Sequence, residues 1–375
     1  MAQFLLYPLA AIYDGITSFR NWLYDRGSKR SYVSFIPTIC IGNIAVGGTG
    51  KTPHTELLIR MLQRQGLHVA VLSRGYKRKS HGFVLANENC TAKKIGDEPY
   101  QMFHKFTGVT VAVDSDRVRG VKKLEALKDR PDVILLDDAF QHRSIQPGLN
   151  LLLSDINHPL WKDWLMPMGR LRESSRNKRR ADAVILTKCK EETIEPKALQ
   201  KIKKKLSLEP EQSLFFSRIK YGRLSNGMEL SDVNGYSILL VTGIANPLPL
   251  EEEIEKHTLF KHICFEDHHN FSKSDVQQIE DTFNSLPGTR KLIITTEKDY
   301  TRLSPMLRNS SLCYLPIEVE MLQDDYDRLR QLVFKYLNLE KEENKPIEEI
   351  PETVAPTKTI DATEPIDSYS NYNEL

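Results

Sequence analysis

The stretch "TICIGNIAVGGTGKTPHTELLIRML" (38–62) constrains the fold of this 375-residue chain more than any other. The apolar run from Thr38 to Ile44 reads as a buried strand, and Lys51 to Gln65 reads as a helix with Leu57, Leu58, Met61 and Leu62 at helical spacing. Between them lies a loop that is nearly all backbone. Its glycines let N–H groups turn inward around an anion, and the helix N-terminus adds the positive end of its dipole. Lys51 supplies a point charge, and the Thr52 hydroxyl can ligate Mg²⁺. Pro53 fits because the first turn of a helix has no N–H partner to lose. Ala45 stands where the usual G-x-x-x-x-G-K-[ST] spacing has its first glycine. Nucleotide phosphates are therefore expected on Ala45, Val46, Gly47, Gly48, Thr49, Gly50, Lys51 and Thr52.

Further apolar runs follow at the spacing of strands alternating with helices: "HVAVLS" (68–73), "VTVAV" (109–113), "DVILLDD" (132–138), "LNLLLSD" (149–155) and "ADAVILTKC" (181–189). Continuous β-branched and Leu runs mean strands buried on both faces, hence a mostly parallel sheet with helices on either side. A second set begins at "SILLVTGIANP" (237–247) and includes "KLIITTEKD" (291–299) and "LCYLPIEVEM" (312–321). The expected class is α/β: a P-loop NTPase-like core plus a smaller second α/β domain. The expected boundaries are 1–30 for an N-terminal helix, 31–215 for the phosphate-loop domain, 216–235 for an extended linker, 236–339 for the second domain and 340–375 for a tail.

Charge separates the tail from the rest. Residues 340–375 carry ten Asp or Glu against three Lys, whereas residues 1–339 carry 49 basic against 40 acidic groups. The tail is rich in Pro, Glu and Thr, has no helical apolar face, and reads as disordered. Five scattered cysteines without a C-x-x-C pair fit a reducing compartment with neither disulfide framework nor structural zinc. No apolar run is long enough to span a bilayer. In the N-terminal 30 residues Leu5, Leu9, Ile12, Ile16, Phe19 and Leu23 draw one apolar stripe on a helix, flanked by Tyr7, Tyr13, Trp22, Tyr24 and a basic end. A signal peptide is disfavoured, since no basic segment precedes the apolar part and Asp14 interrupts it. The pattern suits a helix packed on its own core as well as one lying in a membrane surface.

"DVILLDDAFQHR" ends a buried strand with Asp137 and Asp138, where proteins with such a loop hold Mg²⁺. Asp97 in "KIGDEPYQM" and His268 in "FEDHHNF" would suit a base and its partner for transfer to a sugar hydroxyl. "LSRGYKRK", "DSDRVRG" and "GRLRESSRNKRR" concentrate arginines just after strands, where guanidinium forks suit phosphate. No aromatic strand platform or basic recognition helix accompanies them, which argues against nucleic acid. "ILTKC" and "TTEKD" loosely echo a guanine-reading element, so a regulatory GTPase, or an adaptor using nucleotide as a switch, is the alternative class.

Taken together, "GNIAVGGTGKTP", "VLSRGYKRK", "GDEP", "DDAFQHR", "GRLRE" and "EDHHNF" occur in the order seen in tetraacyldisaccharide 4′-kinases, and the chain resembles that family over about residues 1–339. The resemblance implies transfer of the γ-phosphate of ATP, with Mg²⁺, to the 4′-hydroxyl of tetraacyldisaccharide 1-phosphate in lipid A biosynthesis. It places the enzyme peripherally at the cytoplasmic face of the inner membrane, and implies two α/β/α domains joined by a two-stranded linker. By the same resemblance Asp97 is the catalytic base, His268 its partner and Lys51 the phosphate-loop lysine. Thr52, Asp137, Asp138, Gln141 and Glu173 fall on the metal and nucleotide site, and Arg74, Arg119, His142 and Arg172 on further active-site positions. Ala139 stands where the family's "DD-x-FQH" turn is expected to carry glycine. A four-chain lipid cannot leave the bilayer cheaply, at about 0.8 kcal/mol per buried CH₂, so the N-terminal helix is expected to bring the enzyme to the membrane surface.

Overall fold

The computed structural model describes residues 6–267 and 269–339. The tail expected from 340 onward, Leu5 of the N-terminal stripe, and His268 lie outside the described residues.

The chain opens with helix α1 (Tyr7–Asp25) and then builds the large sheet. In order come β1 (Thr38–Asn43), α2 (Lys51–Gln63), β2 (Val69–Ser73), β3 (Val84–Leu85), α3 (Ala92–Ile95) and α4 (Asp97–Lys105). They are followed by β4 (Thr110–Val113), α5 (Arg117–Glu125), β5 (Val133–Asp137), β6 (Leu149–Asp155), β7 (Ala183–Thr187), α6 (Pro196–Leu206) and β8 (Ser213–Tyr221). A smaller unit follows: β9 (Ser237–Thr242), α7 (Leu248–Glu255), β10 (Phe260–Cys264), α8 (Lys273–Ser285), β11 (Lys291–Thr296), α9 (Glu297–Leu303) and β12 (Leu312–Leu315). The described chain ends with β13 (Ile317–Met321) and α10 (Asp325–Tyr336).

Alternation within each strand sends successive side chains to opposite faces. Cys40, Leu72, Ile134 and Leu136 join Val121 and Leu124 of α5 and Leu206 of α6 in one buried layer. Ile39, Ile41, Val71 and Leu135 join Leu58 and Leu62 of α2, Met102 of α4 and Val333 of α10 in the other. The large sheet runs β13-β8-β7-β6-β1-β5-β2-β4-β3, parallel except for β3 and β13 at its edges. The small sheet, β10-β9-β11-β12, is parallel throughout and covered by α7 on one face and by α8 and α9 on the other.

The boundaries differ from the sequence expectation at two places. The segment read as linker begins inside β8, whose first half pairs with β7 (Phe216 beside Leu186) and whose second half pairs antiparallel with β13 (Ser217 beside Met321). The run 312–321 is not one strand but two, broken at Pro316, which has no N–H for a ladder. β12 stays in the small sheet, whereas β13 and α10 return to the large one. Leu329 and Val333 are buried there, and the Phe216 N–H donates to the Asp325 carboxylate at 2.7 Å. The small unit is thus an insertion between β8 and β13, not everything from 236 to 339.

The N-terminal stripe faces outward. Leu9, Ile12, Ile16 and Phe19 are each more than half exposed, while Ala10 and Asn21 on the other side are buried. This excludes the reading in which the stripe packs on the protein's own core. Among the described residues no helix is long and apolar enough to cross a membrane.

Candidate active site

β1 and β5 are parallel neighbours with Ile41 beside Asp137 in register, so the loop leaving β1 meets the acidic pair leaving β5. Positive φ falls on Gly47 (108°) and Gly50 (88°), where glycine has no Cβ to clash. Ala45 does not share that conformation; it bridges to Leu171, so alanine there costs the loop nothing. Gly50 caps α2 and leaves Lys51 and Thr52 in the first turn. The Asn43 amide donates to Thr49 Oγ1 at 2.8 Å, and the Gln141 amide donates to the Asn43 carbonyl at 2.7 Å, tying the loop to the "DDAFQHR" run. In that run the left-handed residue is Asp138 (φ 49°) rather than Ala139, which explains why glycine is not needed at 139.

The two acids differ in state. Asp137 is buried, its Oδ2 accepts the Ser73 hydroxyl at 2.8 Å, and its Oδ1 has no partner among the described residues. Burial, reinforced by Glu98 and Asp138, pushes its pKa up to about 7 against the pull of Lys51. Asp138 is also pushed upward by burial, but Lys51 at 3.7 Å and Arg172 at 3.1 Å outweigh that and hold it below the usual carboxylate range. A buried carboxylate oxygen with no donor, at the end of the strand beside the one that leads into the loop and its first-turn threonine, belongs to the hard oxygen class that Mg²⁺ takes. Thr52, Asp137 and Asp138 fit that ion. Without it, the folded state holds a proton on Asp137 that the unfolded chain gives up from about pH 4 upward. This group's contribution to stability therefore falls as pH rises toward about 7. Asp137→Asn is expected to remove that fall. In thermal melts without divalent cation the variant should gain on the wild type between about pH 5 and about pH 8, and parallel curves would contradict it.

Glu173 and Gln141, expected near the metal, are otherwise engaged. Glu173 is buried and accepts from Gln141 (2.9 Å), Asn177 (2.8 Å), Asn21 of α1 (3.1 Å) and Arg180 (2.8 Å to each oxygen). Its lone pairs are taken, so it braces the site rather than facing an ion. α1 adds two more bonds to the same region: the Tyr13 hydroxyl donates to the Arg172 carbonyl at 2.7 Å and the Arg20 guanidinium to the Gln141 carbonyl.

The cationic side holds one residue that the sequence reading missed. Arg117, fully buried, donates to the carbonyls of Asp114 (2.6 Å) and Asp137 (3.0 Å) and so fixes the end of β5. Arg119, the expected site residue, forms a fork on the buried Asp114 carboxylate at 2.7 and 2.8 Å. The signal lay in Asp116, which caps α5 and makes Arg117 its first residue, directed back to the strand ends. Arg74 is exposed, and its charge joins those of Arg117 and Arg20 around His142. Burial and these three cations push His142 down to about 4, so it is neutral at neutral pH.

Asp97 is the first residue of α4, where the helix dipole favours its charge, and Arg302 of α9 lies 3.7 Å away across the boundary between the two units. The "TTEKD" element does not read a base: Asp299 is fully buried and accepts from Gly243 N, Thr296 Oγ1 and Arg302.

The sequence model of the tetraacyldisaccharide-1-P 4′-kinase family matches residues 2–338 of this chain. The chain belongs to this family. Its tetraacyldisaccharide 4′-kinase relatives include one from Bacteroides thetaiotaomicron, 48% identical over 353 residues covering 88% of this chain and 92% of that one. Another, from Parabacteroides distasonis, is 46% identical over 361 residues, covering 92% and 96%. The structure of LpxK from Aquifex aeolicus, solved in complex with ATP, matches with a TM-score of 0.72 at 28% identity, over 90% of this chain and all of that one. Membership in the 4′-kinase family makes the chain an enzyme that uses ATP and Mg²⁺ to phosphorylate the lipid A precursor tetraacyldisaccharide 1-phosphate. The GTPase and adaptor readings fall with it.

Proposed function

We propose that this kinase works while lying on the cytoplasmic face of the inner membrane, with α1 as its anchor and Asp97 as its base. The observation that carries the reading is the two-sidedness of α1. Its apolar stripe points outward, and its other side bonds to Arg172, Gln141 and Glu173 of the site. A helix seated in the headgroup boundary would hold the phosphate loop close to where the sugar of a membrane-embedded substrate lies.

Phosphoryl transfer spreads charge over the γ-oxygens, so the protein contributes positioning and cations. Lys51 and the amides of 45–52 hold the phosphates, and Arg172, paired in this structure with Asp138, follows the moving charge. Mg²⁺, on Thr52, Asp137 and Asp138, would supply charge neutralisation of the nucleotide. Asp97 accepts the 4′-hydroxyl proton, with His268 as its partner.

The test is transfer of labelled γ-phosphate from Mg-ATP to tetraacyldisaccharide 1-phosphate in mixed micelles and in vesicles of anionic phospholipid. Ile12→Glu with Ile16→Glu is expected to lower vesicle binding at least about tenfold, each residue withdrawing about 1.5–3 kcal/mol of apolar burial, while ATP binding is unchanged. Flotation of the double variant with the vesicles at wild-type level would refute the anchor.

A further inference from the structure

We propose that Arg302 is a positioning residue for Asp97, delivered from the small unit by an antiparallel pairing of α4 with α9. The inference rests on the reading of Asp97 as the base. α4 begins with Asp97 and ends with Lys105; α9 begins with Glu297 and carries Arg302 near its end. Each helix therefore has its acid at the N-terminal end and its base at the C-terminal end, as the dipoles favour. Laid antiparallel, the acid of each meets the base of the other. Lys105 Nζ lies 2.8 Å from Glu297 and 2.8 Å from Glu56 of α2, and Arg302 Nη1 lies 3.7 Å from Asp97 Oδ2.

The two ends have different tasks. The Lys105 end is a tight charge-assisted contact between two nearly buried carboxylates, suited to holding the units together. The Arg302 end is preorganised from the small unit alone. The guanidinium donates to Asp299 and to the His269 carbonyl (3.0 Å), and Asp299 is itself fixed by Gly243 N at 2.8 Å and Thr296 Oγ1 at 2.7 Å. Arg302 is about 10% exposed and its Nε has no partner among the described residues. A cation held this firmly has one orientation to offer, and that orientation places it beside the Asp97 carboxylate. Since the phosphate loop belongs to the large unit, Arg302 acts on the acceptor side of the reaction without touching the nucleotide.

The experiment is a double-mutant cycle of Arg302→Gln with Asp97→Asn, read as kcat and as KM for ATP on the full chain. Arg302→Gln is expected to lower kcat about tenfold or more with KM for ATP within about twofold. Arg302→Lys should recover part of the loss. Added to Asp97→Asn, Arg302→Gln should cost nothing further, because its only route to the chemistry is gone. An equal fold-loss in the Asp97→Asn background overturns the inference and leaves the base reading standing. Near-wild-type turnover of Asp97→Asn overturns the base reading and the inference with it. Near-wild-type turnover of Arg302→Gln overturns the inference alone. Should Arg302→Gln fail to bind ATP, the cycle is run with Arg302→Lys, where additive losses overturn the proposal and their absence supports it.

Discussion

Asp97→Ala is expected to lower turnover about 10²–10⁴-fold, the usual worth of a positioned general base, while ATP affinity stays within about twofold. The separation follows from where the residue stands. In the proposed mechanism the ATP phosphates lie on the loop leaving β1 and their Mg²⁺ on the acids leaving β5, whereas Asp97 opens α4 and looks across to α9. A carboxylate whose work is to accept a proton contributes to the transition state and not to nucleotide binding. The measurement is single-turnover transfer from labelled ATP beside a direct titration of ATP binding. Equal losses in the two would remove Asp97 from the role of base.

Glu173→Ala is expected to destabilise the protein by about 3–5 kcal/mol, since removing one partner of a buried pair strands the other charge. Arg180 would be left nearly buried without its carboxylate, and Asn21, Gln141 and Asn177 would each lose an acceptor. Against a total of about 5–15 kcal/mol for a typical domain, that is a large fraction. The check is denaturant unfolding without magnesium. A metal ligand would behave in the opposite way, because deleting it relieves charge in the metal-free protein and harms only the loaded one. Unchanged metal-free stability would restore Glu173 to the metal site.

The strand–loop–helix at 38–62 was legible because every level of the sequence agreed there: β-branched run, glycines at the left-handed positions, lysine, threonine and proline in the first turn. The central parallel strands were equally plain, since burial on both faces leaves an unbroken apolar run. Edge and connecting strands were not. β8 is buried only over Phe215–Ser217, with half-exposed or exposed residues on either side, and reads as linker; β10 is half exposed, and β13 is hidden in a run that only Pro316 divides. The direction of the α1 stripe was beyond reach as well, because a periodic apolar face has the same spacing whether it meets a core or a solvent boundary. Residue types point to the arginine clusters but not to what each guanidinium meets. Distinguishing Arg117 from Arg119, or a saturated Glu173 from an open one, required knowing which donors the fold brings in from 20 to 150 residues away.

The return of β13 and α10 to the large sheet has a consequence for synthesis. As the chain leaves the ribosome, β8 emerges with the outer half of its ladder unmatched, and its partner lies about 100 residues downstream. The whole small unit must be made before that edge is closed. An open strand edge is a template for unwanted pairing, and contacts this distant in sequence form slowly. The large unit is thus complete only after the whole small unit has been made. A premature stop between Tyr221 and Ile317 would release a protein carrying the whole glycine loop of 45–52 and an unfinished sheet.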